Sequence, residues 1–262
     1  MKNENMINEN TIKTITSATN PLIQRIVKLH SAKYRKTYKE FMAEGIHIIS
    51  TLIEAQHKPT HVLTTEKMFF YTKRFFAHDS VVYENIVIVT EAIMKKISTQ
   101  ETPTGIIALF SIPAEPEYGT LSSGIVLANV QNPGNAGTLI RTAVAMNKKT
   151  AVFIGGVDPF NPKVIQASAG TIGSINIFQL DWQDLIAHKK SIPLYALVAS
   201  GGKKPQAINM RDSLIVVGNE GAGLADEDIA QCDDTITLNM PGPCESLNAS
   251  IAGAIALYLS AS

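Results

Sequence analysis

"NVQNPGNAGTLIRTAVA", residues 129–145, decides how the second half of this chain folds. The apolar run that enters it, 125–129, reads as a strand. Asn132-Pro133-Gly134 is a turn cluster that opens a helix, because asparagine caps well and proline suits a first turn whose N–H groups have no intrahelical acceptor. Strand, tight turn and helix in that order are the first half of a βαβ unit. The small-residue helix then carries one arginine, Arg141, among apolar neighbours, which raises the question of what that cation serves.

Outward from this stretch the alternation continues. Strands are expected at 151–154, 175–178, 194–198, 214–217 and 235–238, separated by helical stretches, an order that implies a mostly parallel sheet covered by helices on both faces. Asn161-Pro162 caps one of these helices. Ser246 begins the last, an Ala-rich run ending near Tyr258, with Asn248 in its first turn.

Upstream, Asn20-Pro21 opens a helix expected to reach about Tyr38, and a second helical stretch follows over 44–55. Short apolar runs at 61–63, 86–89 and 105–110 alternate with helical candidates at 66–78 and 91–97, giving a small α/β unit. "SIPAEPEYGT", 111–120, has linker composition. The chain thus divides into a flexible amino terminus (1–12), a first domain (13–111), a linker (112–121) and a second domain (122–262), and 262 residues is ample for two cores.

Composition removes several function classes. The first ten residues lack the apolar stretch of a secretion signal and no segment approaches the ~20 apolar residues of a membrane span, so a cytoplasmic protein with no membrane partner is expected. Cys232 and Cys244 have no ligand-like spacing to each other or to histidines, which indicates two reduced thiols and no metal site. No phosphate-cradling loop ending in Gly-Lys-Ser/Thr occurs, no Gly-x-Ser-x-Gly elbow occurs, and "GNEGAG" at 218–223 has the wrong glycine spacing for a dinucleotide fingerprint.

Net charge is zero but unevenly spread. Residues 1–112 hold 14 basic and 10 acidic side chains and residues 113–262 hold 9 and 13, so the halves carry +4 and −4. Lys13, Arg25, Lys28, Lys33, Arg35, Lys36 and Lys39 follow one another without an intervening acid, with Tyr34 and Tyr38 among them. Such a segment suits RNA backbone contact with base stacking, or else a solvated helix face with snorkelling lysines.

Ligands of parallel sheets sit at the carboxyl ends of strands. Three loops there combine glycine or proline with polar side chains: "NVQNPGNAG", "VVGNEGAGL" at 216–224 and "LNMPGPCESLNAS" at 238–250. Together these segments resemble, in order and approximate spacing, the three motifs of the SpoU-class (TrmH-like) RNA 2′-O-ribose methyltransferases of the SPOUT superfamily. The segment 16–45 is similar to the amino-terminal substrate-binding domain that many members carry.

The resemblance implies an L30e/L7Ae-like amino-terminal α/β domain and a parallel-sheet domain threaded as a trefoil knot, a topology that physical argument alone would reject as rare. It implies S-adenosylmethionine as cofactor, no metal, a homodimer, and structured RNA as substrate, ribosomal or transfer. Gly218, Leu238, Met240, Gly242 and Leu247 would hold the cofactor, the glycines because a Cβ would obstruct close approach. Asn135, Arg141, Glu220, Ser246 and Asn248 would serve catalysis. Arg141 offers a planar fork suited to a phosphate beside the target ribose, with capping of a neighbouring helix as its structural alternative. Arg25, Lys28, Lys33, Arg35, Lys36 and Lys39 would contact RNA. In the last helix Ala249, Ala252, Ala254 and Ala256 would permit close packing, either against a partner or against the chain's own sheet. The competing function is a noncatalytic RNA-binding or ribosome-assembly protein that retains the fold.

Overall fold

The computed structural model describes residues 12–76, 82, 85–243 and 247–261. Ser246, expected to start the last helix and to serve catalysis, and Cys244 lie outside the described residues. The chain forms two compact units, one comprising residues up to Ile49 with His57–Ile112, the other Ser50–Gln56 with Pro113–Ser262.

The first unit runs β1 (Lys13–Ile15), α1 (Pro21–Lys28), α2 (Ala32–Tyr38), β2 (Glu40–Glu44), α3 (Ile46–Glu54, whose last turns belong to the other unit), β3 (Pro59–Thr65), α4 (Glu66–Phe75), β4 (Ile86–Val89), α5 (Glu91–Ile97) and β5 (Ile106–Ser111). Its sheet has the order β1-β4-β3-β5-β2. β1, β4 and β3 are mutually parallel, whereas β5 pairs antiparallel with β3 and β2. Ile23, Ile26 and Leu29 pack with Met42, Leu63, Ile93, Ile97, Ile107 and Leu109 into its core.

The expected single helix from Asn20 to Tyr38 is two. Asn20 caps α1 as foreseen, its Oδ1 accepting from Leu22 N–H at 2.9 Å. The helix stops at Leu29 and restarts after Ser31. Arg35, fully buried at 2% exposure, fastens the break by donating from Nη1 to the Leu29 carbonyl at 2.7 Å. A terminal carbonyl that would otherwise lack an acceptor's partner is satisfied this way. Arg35 is therefore a structural residue and not the RNA contact expected of it.

Strand β2, "EFMAE", was expected to contribute only the start of a helix at Glu44. All five of its residues are buried, and two carboxylates disguise the apolar pattern. Glu44 is kept buried by Ser98 Oγ at 2.8 Å to both oxygens and by the Thr104 N–H at 3.2 Å. Glu40 pairs with Arg25 at 2.7 Å.

The second unit carries β6 (Gly124–Ala128), α6 (Pro133–Ala145), β7 (Thr150–Ile154), α7 (Pro162–Ala167), β8 (Asn176–Gln179), α8 (Trp182–His188), β9 (Leu194–Leu197), β10 (Leu214–Val217), α9 (Asp226–Ala230), β11 (Asp234–Ile236) and α10 (Ala249–Leu259). All five pairings of its sheet are parallel, in the order β11-β9-β10-β6-β7-β8. From β6 the chain builds outward through β7 and β8, then returns to add β9, β10 and β11 on the other side. The order reverses between β6 and β10, and the crevice above the carboxyl ends of those strands is where such sheets take ligands.

α10 starts at Asn248, whose Oδ1 accepts from Ser250 N–H at 2.9 Å, two residues later than expected. Its small residues pack it on its own unit: Ala256 is fully buried, and a Cβ on Gly253 would run into Leu139 and Val217. Its end is held by Lys148, a buried lysine donating from Nζ to the carbonyls of Arg211 (2.6 Å) and Ser260 (3.1 Å).

Cys232 packs beside the second core, and burial, with Asp233 and Asp228 adding to it, pushes its thiol up to about 12. The thiolate is the reactive form. Native protein treated with iodoacetamide at about pH 8 is accordingly expected to keep Cys232 unmodified while urea-unfolded protein is alkylated, as peptide mass spectrometry would show.

Candidate active site

The first two polar loops of the second unit meet at the switch point, and described residues of the third line a pocket beside the second. β6 is followed by Asn129, at φ +55°, and the loop turns into α6, where Asn132 caps by accepting from the N–H groups of Gly134 (2.8 Å) and Asn135 (3.3 Å). β10 ends in a tight loop in which Asn219 and Gly223 exchange backbone hydrogen bonds at 3.0 and 2.9 Å. The Asn219 side chain binds the loops together: Oδ1 accepts from Gly221 and Ala222 N–H, while Nδ2 donates to the Asn129 carbonyl at 3.1 Å. Gly218 has to be glycine here, because a Cβ would stand 2.5 Å from the Gly223 carbonyl carbon.

Glu220 is the clamp. Its carboxylate accepts from Gln131 N–H (3.1 Å), Asn132 N–H (2.9 Å) and Asn135 Nδ2 (3.0 Å), joining the second loop to the first. It also sits at the start of α6, where the helix dipole favours an anion. Partial burial alone would raise its pKa, but hydrogen bonds from Asn135, Asn132, its own backbone and Gln131 outweigh burial and hold it below the ordinary glutamate value.

A folded-state pKa below the unfolded one means that the clamp's contribution is present above the ordinary carboxylate range and is lost as pH falls through the folded value. Cofactor affinity is expected to stay level from about pH 8 to about pH 6 and to fall steeply below the usual glutamate pKa of about 4.3. Glu220→Gln sets an amide donor against backbone donors, and a roughly tenfold loss of affinity in calorimetry is expected from one such unmade hydrogen bond.

Beside the clamp is a pocket of about 340 Å³. The second loop forms one wall through Gly218 to Gly223. Leu238, Met240 and Leu247 of the third loop, with Ala249 and Ala252 of α10, form another. Leu197, Val198 and Ala199 close it from the end of β9. Of the five expected cofactor residues the structure brings four together. Gly242 is not on the lining, and a Cβ there would meet nothing within 4 Å, so close backbone approach is not what it supplies. The β9 residues were missed because they carry no motif. Only their adjacency to β10 in the sheet marks them.

Among the catalytic candidates, Asn135 and Glu220 are in direct contact. Arg141 lies two turns further along α6, exposed, and makes no hydrogen bond or ion pair with any described residue. It caps no helix among the described residues. Asn248 spends its side-chain oxygen on the start of α10, accepting from Ser250 N–H and Oγ, and no bond among the described residues ties it to Arg141 or Glu220. Among the described residues no cluster of three His, Cys, Asp or Glu side chains could hold a metal, and no helix is long and apolar enough to cross a membrane.

In the first unit Lys28, Lys33, Lys36 and Lys39 are exposed, while Arg25 is engaged by Glu40 and lies 5.4 Å from the centre of the Tyr38 ring. Tyr34 and Tyr38 stack on each other at 5.8 Å, and Lys28 and Lys33 cover Tyr34 at 5.4 and 5.9 Å.

Residues 122–258 match the SpoU rRNA methylase family and residues 20–108 match the MRM3-like substrate-binding domain. The chain is similar to the 23S rRNA (guanosine(2553)-2′-O)-methyltransferase RlmP of Bacillus subtilis, 27% identical over 94% of this chain and 98% of that one. Its fold matches the crystal structure of an RNA 2′-O ribose methyltransferase with a TM-score of 0.77, at 27% identity over 94% of this chain and 97% of the other. The AdoMet-bound rRNA methyltransferase of Sinorhizobium meliloti shares the fold at a TM-score of 0.81, 24% identity, and 95% and 97% coverage.

Proposed function

Since this chain belongs to the SpoU rRNA methylase family, we propose that it transfers a methyl group from S-adenosylmethionine to a ribose 2′-hydroxyl of structured RNA, ribosomal RNA before transfer RNA. The observation that carries this is the Glu220 clamp: one carboxylate fixes the first two loops together at the rim of a pocket completed by the third.

The lining fits the proposed donor. Its volume falls in the range of small-molecule sites, and Leu197, Leu238, Met240 and Leu247 offer apolar cover for a flat ring beside a run of backbone amides and carbonyls that glycines leave accessible. Bound there, the donor supplies a methyl carbon activated by a sulfonium. The chain's own part is alignment. Glu220 holds Asn135 and the first loop in place, and the Arg141 guanidinium grips the phosphate next to the target ribose, bringing its hydroxyl into line for displacement. A guanidinium offers donors and no acceptor, so the hydroxyl proton goes to water or to the phosphate.

Two structural readings belong to the same proposal. After laying down the sheet edge at β11 the chain returns in α10 to pack on α6 and on β10 in the middle of the sheet, the kind of return that a trefoil threading requires. The enzyme also works as a homodimer. Ile251, Ile255 and Tyr258 form a stripe on the outer face of α10, 52%, 39% and 63% exposed, with Leu247 at its start 38% exposed beside the pocket. This stripe, on a helix whose other face is already packed, supports that reading, because a partner subunit would cover it. Ile251→Glu is expected to turn a dimer into a monomer by light scattering and to lower transfer. A fully active monomer would remove the dimer from the account.

The test of function is transfer of labelled methyl from S-adenosylmethionine to ribosomal RNA, followed by alkaline digestion. Label in alkali-resistant dinucleotides is expected. Label in mononucleotides would mean base methylation, and no label with any ribosomal or transfer RNA would leave a noncatalytic RNA binder.

A further inference from the structure

The exposed face of α4 combines features that the first unit's basic segment lacks. Thr72 is fully buried toward the core, and Phe76, just past the helix, is 6% exposed. Phe70, on the opposite side, is 73% exposed, and Tyr71 and Phe75, on one flank, are 48% and 39% exposed. Three large aromatic rings within six residues are a costly thing to leave in water, and isolated surface hydrophobics do not cluster so. Tyr71 and Phe75, one turn apart, have ring centres 6.2 Å apart. Phe75 is fixed edge-on by Phe76 at 5.0 Å and by His47 at 5.9 Å.

Lys67 and Arg74, seven residues apart, fall on one line of the helix between Phe70 on one side and Tyr71 and Phe75 on the other. Both are exposed. Glu91 approaches Lys67 at 3.8 Å, but both side chains are well solvated (83% and 59% exposed) and such a pair contributes little. The face is therefore aromatic rings flanking a line of cations. A second copy of the chain docking here would bury like charges in one interface, whereas a nucleic-acid strand needs both features, rings for its bases and cations for its phosphates. By contrast Tyr34 and Tyr38 are already covered by each other and by Lys28, Lys33 and Arg25.

We propose that this face of α4 is a stacking platform for an unpaired stretch of the RNA substrate, Phe70 and Tyr71 receiving bases while Lys67 and Arg74 meet the backbone. Paired RNA hides its base faces inside the helix, so the platform selects loops, bulges or opened ends. The inference rests on the RNA-methyltransferase reading above, and α4 falls within the stretch that matches a substrate-binding domain.

The experiment is fluorescence anisotropy of the full chain with a labelled oligouridylate of about 12 nucleotides, a typical single-strand site size, and with a blunt RNA duplex of similar length. Phe70→Ala/Tyr71→Ala is expected to weaken single-strand binding roughly 5- to 150-fold for each base stack lost, and to leave the duplex within about twofold. Arg74→Ala is expected to flatten the dependence of log affinity on log salt for the single strand by about 0.7, one phosphate contact. Single-strand binding unchanged in the double variant, or an equal loss for duplex and single strand, would overturn the platform. So would a change in oligomeric state in place of a change in RNA affinity. S-adenosylmethionine binding and methyl transfer by the parent, measured on the same preparation, separate the two levels. Their absence would sink the family-based reading, while their presence with an unaltered oligouridylate result would sink only this inference.

Discussion

Arg141→Ala is expected to slow methyl transfer by roughly 10²-fold or more while leaving the affinity for S-adenosylmethionine as it was, since a misplaced reacting group alone costs that order. The split follows from position. Arg141 is exposed on α6, outside the pocket lining, and makes no hydrogen bond or ion pair with any described residue. Its removal takes away no packing and no loop contact, so folding and donor binding have little reason to change. What disappears is a rigid two-point grip on phosphate, and lysine does not replace it, because an ammonium is a point charge without the fork. Arg141→Lys should therefore recover part of the rate at every pH. If instead its rate rose to the parent's at an intermediate pH, the residue would be moving a proton, and the positional role assigned to it would be wrong.

Gly218→Val is expected to abolish measurable donor binding and, with it, transfer. A Cβ at this position would stand 2.5 Å from the Gly223 carbonyl carbon and 2.6 Å from both the Gly223 oxygen and the Leu224 nitrogen, all backbone atoms with no side chain to swing aside. The Asn219–Gly223 hydrogen bonds that shape the loop would break, and Glu220, carried on that loop, would be drawn off Gln131, Asn132 and Asn135. Titration calorimetry with S-adenosylmethionine should read no saturable heat in the variant, while circular dichroism should still find a folded sheet, because β10 itself ends at Val217. Retained affinity would mean that the pocket lies elsewhere. Gly242→Val is the natural control, expected to bind nearly as the parent does since open space surrounds that position.

The parallel sheet was legible because its strands are buried on both faces and so read as unbroken apolar runs: Leu214–Val217 is buried at every position and matches its expected span. Asn132 and Asn161 announced their helices, as caps before proline do. The three loops could be singled out by composition, whereas their meeting was implied only by the family resemblance, because the reversal of sheet order that brings the first two together is a property of the fold. What stayed hidden was long-range. The buried carboxylates of Glu40 and Glu44 masked β2, since their partners Arg25, Ser98 and Thr104 are distant in sequence. Arg35 looked like one more surface cation until the carbonyl it serves was located. The alanines of α10 had two possible partners, and the choice between them depended on where Leu139 and Val217 lie. Leu197 to Ala199 entered the pocket by strand adjacency, which no local pattern records.

The central claim is that loops 129–135 and 218–223, with Leu238, Met240 and Leu247, build one site for a sulfonium donor, locked by Glu220. Titration calorimetry of the unmodified protein with S-adenosylmethionine tests it most directly. Saturable binding of one donor per chain, weakened in Glu220→Gln, is the result this structure predicts. No heat at any concentration, or binding indifferent to Glu220, would contradict it.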